Sequence, residues 1–256
     1  MNSHFSWTGW LCLMMALFGL MTSCQQRENS LRIMSYNIRN LRGMDDVRDV
    51  GRVAKVINEA KPDVVAVQEV DSVTGRSEQT DVLGLLATET QMHPTYAAAI
   101  DYDGGKYGVG ILSKEQPMSY YSIPLPGREE QRVLLVVEFD RYLFACTHLS
   151  LTEEDRLRSL PLLNQEAAKA NKPLFIAGDW NATPNSSFIG ELRQSFTLLS
   201  DPGQLTFPAD TPNRTLDYVA IYRTKDVAVN VKSTQVVDEP MASDHRPVVV
   251  EITLPK

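Results

Sequence analysis

The stretch Pro62-Asp63-Val64-Val65-Ala66-Val67-Gln68-Glu69-Val70-Asp71 decides the architecture of this chain. Val64 to Val67 form an unbroken apolar run rich in β-branched residues, with no polar alternation. That pattern predicts a strand buried on both faces. Gln68 and Glu69 then break the run. Upstream, Asp46–Ala60 carries Val47, Val50, Val53, Ala54 and Ile57 at helical spacing, which predicts an amphipathic helix. Lys61-Pro62 ends it. Leu31–Ile38 reads as an earlier strand, so the chain opens as strand, helix, strand.

Beyond this unit the pattern changes. Asp71–Thr80 is polar and irregular, and a helix follows through about Thr90. Tyr107–Leu112, Arg132–Phe139 and Tyr142–Thr147 read as strands, the last two as a hairpin around Asp140-Arg141. Glu153–Asn171 is a helix whose apolar side is Leu157, Leu160, Leu163 and Ala167, with Pro161 an interior irregularity. Pro173–Ala177 leads as a strand into Gly178-Asp179, and Leu216–Tyr222, Val227–Val237 and Pro247–Leu254 complete the set. Helices alternating with strands early, and hairpins in the middle, predict an α/β four-layered sandwich. Two mixed β-sheets pack face to face, flanked by helices.

Five polar clusters interrupt or end the apolar runs, where Asn, Glu, Asp and His are normally excluded. They are Tyr36-Asn37-Ile38, Gln68-Glu69-Val70, Thr147-His148-Leu149, Gly178-Asp179-Trp180-Asn181 and Ser243-Asp244-His245. A carboxylate such as Glu69, fixed at a strand end, suits a hard dication that takes oxygen donors. Alone it reads more readily as a strand-terminal surface residue. Asn37 is a neutral amide able to ligate a cation or hold a phosphate oxygen, or a buried amide satisfied by backbone. Gly178 permits a sharp turn that aims Asp179 and Asn181 to one side. Asp179 can orient or deprotonate a water, or simply close an Asx turn. Asp244-His245 pairs a potential ligand with an imidazole, and Asp217 on its own strand is suited to fixing a His tautomer. Of the four histidines, His4 lies near the N-terminus and His93 precedes Pro94 in an expected surface loop.

The bulk properties bound the remainder. After about residue 30 the 256-residue chain shows no linker or low-complexity run, so residues 31–256 are read as one domain. Residues 10–22 (WLCLMMALFGLMT) are apolar and uncharged, too short for a spanning helix of about 18 or more residues, and suit a signal-peptide core. Met21-Thr22-Ser23-Cys24 is similar to a bacterial lipobox, so residues 1–24 are expected to be a signal and 25–30 a polar tether. Lipidation of Cys24 would attach the protein to the bacterial cell envelope, facing the periplasm or the cell surface. Cys146 is then left alone and reads as a packing thiol. A net charge of −7 disfavours a stable nucleic-acid complex, whose affinity rests on Lys and Arg.

In chain order, YNI, PDVVAVQEVD, YGVGILS, THL, GDWNATP, LDYV and SDHRPV resemble the endonuclease/exonuclease/phosphatase superfamily over about Leu31 to Leu254. The resemblance implies a phosphoesterase dependent on Mg²⁺, with Mn²⁺ an alternative. It implies Glu69, Asn37 and Asp244 at the metal, Asp179 activating water, and Asn181 positioning water and phosphate. His245 would touch the scissile phosphate with its ring held by Asp217, and His148 would donate to a non-bridging oxygen. Val109 stands where many relatives carry Asn, and Trp180 where Phe is usual. The expected partner is a phosphoester, a small-molecule, sugar-phosphate or lipid head-group ester ranking above DNA, acted on by a monomer. A secreted nuclease and an inactive binding protein on the same scaffold are the alternatives. Arg39, Arg76, Arg132 and Arg246 are candidate phosphate contacts.

Overall fold

The computed structural model describes residues 30–223 and 229–254. The expected signal segment with Cys24, and all of the tether but Ser30, lie outside the described residues. Among the described residues, twelve strands divide into two six-stranded sheets. The first contains β1 (Ser30–Asn37), β2 (Val64–Ser72), β3 (His93–Tyr102), β4 (Gly105–Ser113), β11 (Asn230–Val236) and β12 (Val248–Thr253), in the order β11-β12-β1-β2-β4-β3. The second contains β5 (Ser119–Leu125), β6 (Arg132–Glu138), β7 (Leu143–His148), β8 (Leu174–Asp179), β9 (Phe196–Leu198) and β10 (Asp217–Tyr222), in the order β5-β6-β7-β8-β10-β9. The helices are α1 (Val50–Ala60), α2 (Val82–Thr90), α3 (Glu153–Lys169) and α4 (Ser187–Leu192).

Each sheet holds one parallel pair at its centre, β1 with β2 and β7 with β8, and every other pairing is antiparallel. Parallel neighbours need a crossover, and α1 and α3 supply the two. Three apolar layers result. The central one joins the inner faces through Ile33, Val64, Ala66, Ile111, Leu135, Phe144, Cys146 and Phe175. A second lies between the first sheet and α1 and α2, and a third between the other sheet and α3 and α4. Val64 to Val67 have no exposure, with alternate residues feeding the central layer and the helix layer. Each of the three valines contributes roughly 1.5–3 kcal/mol by leaving water. Cys146 is a free, fully buried thiol, as its sequence context predicts.

Several local expectations are corrected. The first helix begins at Val50, because the Asp49 side chain accepts from Arg52 N–H and caps it there. Val47 matches the helical spacing but lies in the preceding loop, half exposed. His93 begins strand β3, remaining exposed, and Pro94 is tolerated because β3 is an edge strand. Pro161 sits within α3 without ending it. Gly178 lies inside β8 and does not make the turn. A Cβ there would come within 1.9 Å of the Thr147 carbonyl oxygen, so it is close strand approach that demands glycine. The turn falls at Asn181, whose φ is 50°.

Candidate active site

The C-terminal ends of both parallel pairs meet at one edge of the sandwich. Asn37 ends β1, Glu69 lies near the end of β2, and His148 and Asp179 end β7 and β8. In the second sheet, His148 pairs with Asp179 across one ladder and Asp217 pairs with Asp179 across the next. Two carboxylates directly opposite repel each other. His245 settles that conflict, with Nδ1 2.9 Å from Asp217 Oδ2 and Nε2 3.5 Å from Asp179 Oδ2. Burial alone would lower the imidazole pKa, but Asp217, Asp179 and Asp244 outweigh it and raise it to about 10. The surrounding carboxylates therefore favour the charged form of His245.

His148 is the opposite case. Burial pushes its pKa down to about 3, and Arg132 and His245 add to that against the pull of Asp179. An amide nitrogen can only donate, so Asn181 Nδ2, 3.0 Å from His148 Nε2, places the His148 proton on Nδ1. The same Asn181 nitrogen donates to Leu149 O at 2.9 Å, which leaves its oxygen as the uncommitted end. Asn181 N–H donates to Asp179 Oδ1 at 2.9 Å. The Asx turn and the site are thus one structure.

Asn37 links the two sheets. Its Nδ2 donates at 3.0 Å to Glu69 Oε1 and at 3.0 Å to Asp179 Oδ2, while its Oδ1 accepts from Arg39 N–H at 3.0 Å. Its NH₂ therefore faces the carboxylates, and its oxygen, the end expected to ligate, faces the backbone. Glu69 escapes the β2–β4 ladder through a one-residue irregularity between Val67 and Val70, with φ at 58°. Burial, with Asp244 and Asp179 nearby, holds its carboxyl above the ordinary range, against the Asn37 hydrogen bond and His245. Carboxylate oxygens are the donor chemistry a hard dication takes, so Glu69 and Asp244 fit such an ion, although Asn37 and Arg39 already contact them. Asp179, Asp217 and His245 also place one potential ligand atom each within 4.8 Å of one another. In that trio, however, His245 Nδ1 is already taken by the hydrogen bond to Asp217, which leaves Nε2.

All eight side chains expected from the sequence reach this edge, Asp244 through the loop that carries His245. Ser243 Oγ donates to Asn37 O at 2.7 Å and so ties that loop to β1. The four candidate arginines are not free. Arg39 lies 3.5 Å from Asp244, Arg76 grips Asp71 at 2.6 Å, and Arg246 meets Asp238 at 2.8 Å. Arg132, expected at the surface if not at phosphate, is only 4% exposed and is held by Glu129 and Glu130. Sequence reading missed Phe207, whose ring packs against His245 with centroids 4.7 Å apart. No periodicity marks it, because it sits in a loop.

The profile described as the Endonuclease/Exonuclease/phosphatase family matches residues 34–245. This chain belongs to that family. Among solved structures, the family protein from Bacteroides vulgatus superposes with a TM-score of 0.73 at 17% identity, covering 88% of this chain and 99% of the other. The family protein from Beutenbergia cavernae gives 0.70 at 22% identity, covering 88% and 72%. A mannosyl-6-phosphatase from Bacteroides thetaiotaomicron gives 0.69 at 16% identity, covering 88% and 100%. These likenesses establish the fold, which is the family's two-sheet sandwich. No curated protein matches the chain.

Proposed function

We propose that this protein is a divalent-metal-dependent phosphoesterase that cleaves a small phosphomonoester or diester by in-line attack of water. The observation that carries the reading is the Asn37 bridge, which draws the Glu69 side of the site and the Asp179–His245 side into one buried cluster. Glu69 and Asp244 would hold Mg²⁺ or Mn²⁺, and Asn37 would join them only by turning its amide over. A cation held there neutralises phosphoryl oxygens. Asp179, with Asn181, would orient the attacking water and accept its proton. His245, kept charged by Asp217, would stabilise the negative charge that builds on the phosphoryl group, and His148 Nδ1–H would supply a neutral donor. An inactive binding protein would have no use for this degree of assembly.

The soluble part, assayed against phosphomonoesters, diesters and single-stranded DNA, should cleave small esters with Mg²⁺ and none with EDTA. Cleavage of DNA alone would move the reading to a nuclease. We also propose that Cys24 is lipidated and anchors the protein to the cell envelope. The Cys24→Ser variant should lose lipid labelling and leave the membrane fraction, and unchanged labelling would remove the anchor.

A further inference from the structure

Beside His148 the two sheets leave a crevice of about 10 Å³, lined by Tyr107, Val109, Glu130, Arg132 and His148 among others. That is the room one water-sized group needs. The crevice is built rather than incidental. Arg132 is 4% exposed, with Nη2 3.0 Å from Glu129 Oε1 and Nη1 2.9 Å from Glu130 Oε1. Its Nε is buried without a partner. Both arms of the guanidinium are committed to these glutamates, and Arg132 fixes the Glu130 carboxylate in the crevice wall.

Tyr107 is held just as firmly. Its backbone pairs with Asp71, and the Arg76 guanidinium lies 5.3 Å from its ring centre. Arg76 is in turn fixed by two bonds to the buried Asp71, at 2.6 and 2.7 Å. Tyr107 thus joins Glu130 and Arg132 in the wall of the crevice.

The chemistry of this lining selects its guest. Glu129 and Glu130 compensate the Arg132 charge, so the crevice is not an anion site. Its wall carries the Glu130 carboxylate, which accepts, and the Tyr107 phenol, which both donates and accepts. A hydroxyl, itself both donor and acceptor, satisfies such a set, while a methylene leaves it unmet. A ring or an acyl chain exceeds its volume.

We propose that the crevice between Tyr107, Glu130 and Arg132 is a specificity subsite that receives one hydroxyl of the leaving group, so that the preferred substrates are phosphoesters of polyhydroxylated alcohols. The inference rests on the phosphoesterase reading and deepens it. A chain-length-matched pair tests it: sorbitol 6-phosphate and hexyl phosphate, each as monoester and methyl diester, with Mg²⁺. The wild type should favour the sorbitol ester at least about tenfold in kcat/KM, since sites built to bond a hydroxyl discriminate strongly against its absence. Tyr107→Phe should shrink that preference about tenfold, and Arg132→Lys should do the same. Tyr107→Phe removes a single oxygen and keeps the test alive if Arg132→Lys does not fold. Equal rates on the two esters, or a preference unchanged in Tyr107→Phe, would sink the subsite and leave the phosphoesterase reading standing. No hydrolysis of either ester would bring down both.

Discussion

The two sheets present the same framework to the site and arm it differently. In each, two parallel strands joined by a helical crossover end side by side. The first sheet ends in Asn37 and Glu69, an amide and a carboxylate, with Glu69 partly open to solvent. The second ends in His148 and Asp179, both buried, with Asp217 and His245 stacked against them. In the proposed reading one half would supply a carboxylate for a cation, and the other supplies imidazoles and the carboxylates that set their charge. The lesson is that a repeated backbone fixes where reactive groups stand, while the side chain at each strand end decides what they do. Within the second half the contrast sharpens, because burial neutralises His148 while two carboxylates charge His245.

The largest effect should come from disarming the first half. Glu69→Ala should lower kcat about 10³-fold or more, and EDTA should do the same to the wild type. Its Tm should hold or rise, since removing one of several crowded carboxylates relieves repulsion. Full activity in metal-free protein would end the division of labour between the sheets. Next comes the second half. Asp217→Asn and His245→Ala should each cost about 10²- to 10⁴-fold in kcat. The double variant should be little worse than His245→Ala, because residues acting as a unit are not additive. Losses that multiply would give Asp217 a separate role.

The smallest effect lies between the sheets, at Cys146. Burial raises its thiol to about 12, with Gln68 and Val67 opposing. The unfolded thiol ionises near pH 9, so this group's share of stability is complete below that value and is lost as pH climbs through about 12. Cys146→Ala should flatten the alkaline limb of a stability–pH curve. Iodoacetamide at pH 8 should label the wild type only after denaturant is added, and native labelling would mean the sheets separate.

The layers were legible because Val64 to Val67 and Phe175 to Ala177 allow no exposed face. The convergence of eight polar side chains on one edge was legible for the same reason, since most are polar residues where an apolar run should continue or close. What stayed hidden depends on contacts between elements distant in sequence. β3 carries an Ala97-Ala98-Ala99 run without the β-branched enrichment that marks a strand. β5 is an exposed edge strand, and β9 is three residues long. Tyr107 and Arg132 looked ordinary because their meaning arises where β4 of one sheet approaches β6 of the other. Phe207 gains its role only when its loop docks, with Ala209 N–H donating to Asp244 O at 2.7 Å.

The one-residue irregularity in β2 has a consequence for how this protein could be improved or ruined. Val65, Val67 and Val70 all face α1 and α2, although strict alternation would send Val70 to the other side. The extra residue absorbs that change of parity, and a left-handed Glu69 costs roughly 1–2 kcal/mol. A chain shortened by Gln68 would form an unbroken ladder and shed that strain. It would also draw Glu69 into the weave. An engineer selecting only for heat resistance would therefore be rewarded for pulling Glu69 out of the cluster, and a library of stabilised variants should be screened for turnover before melting temperature.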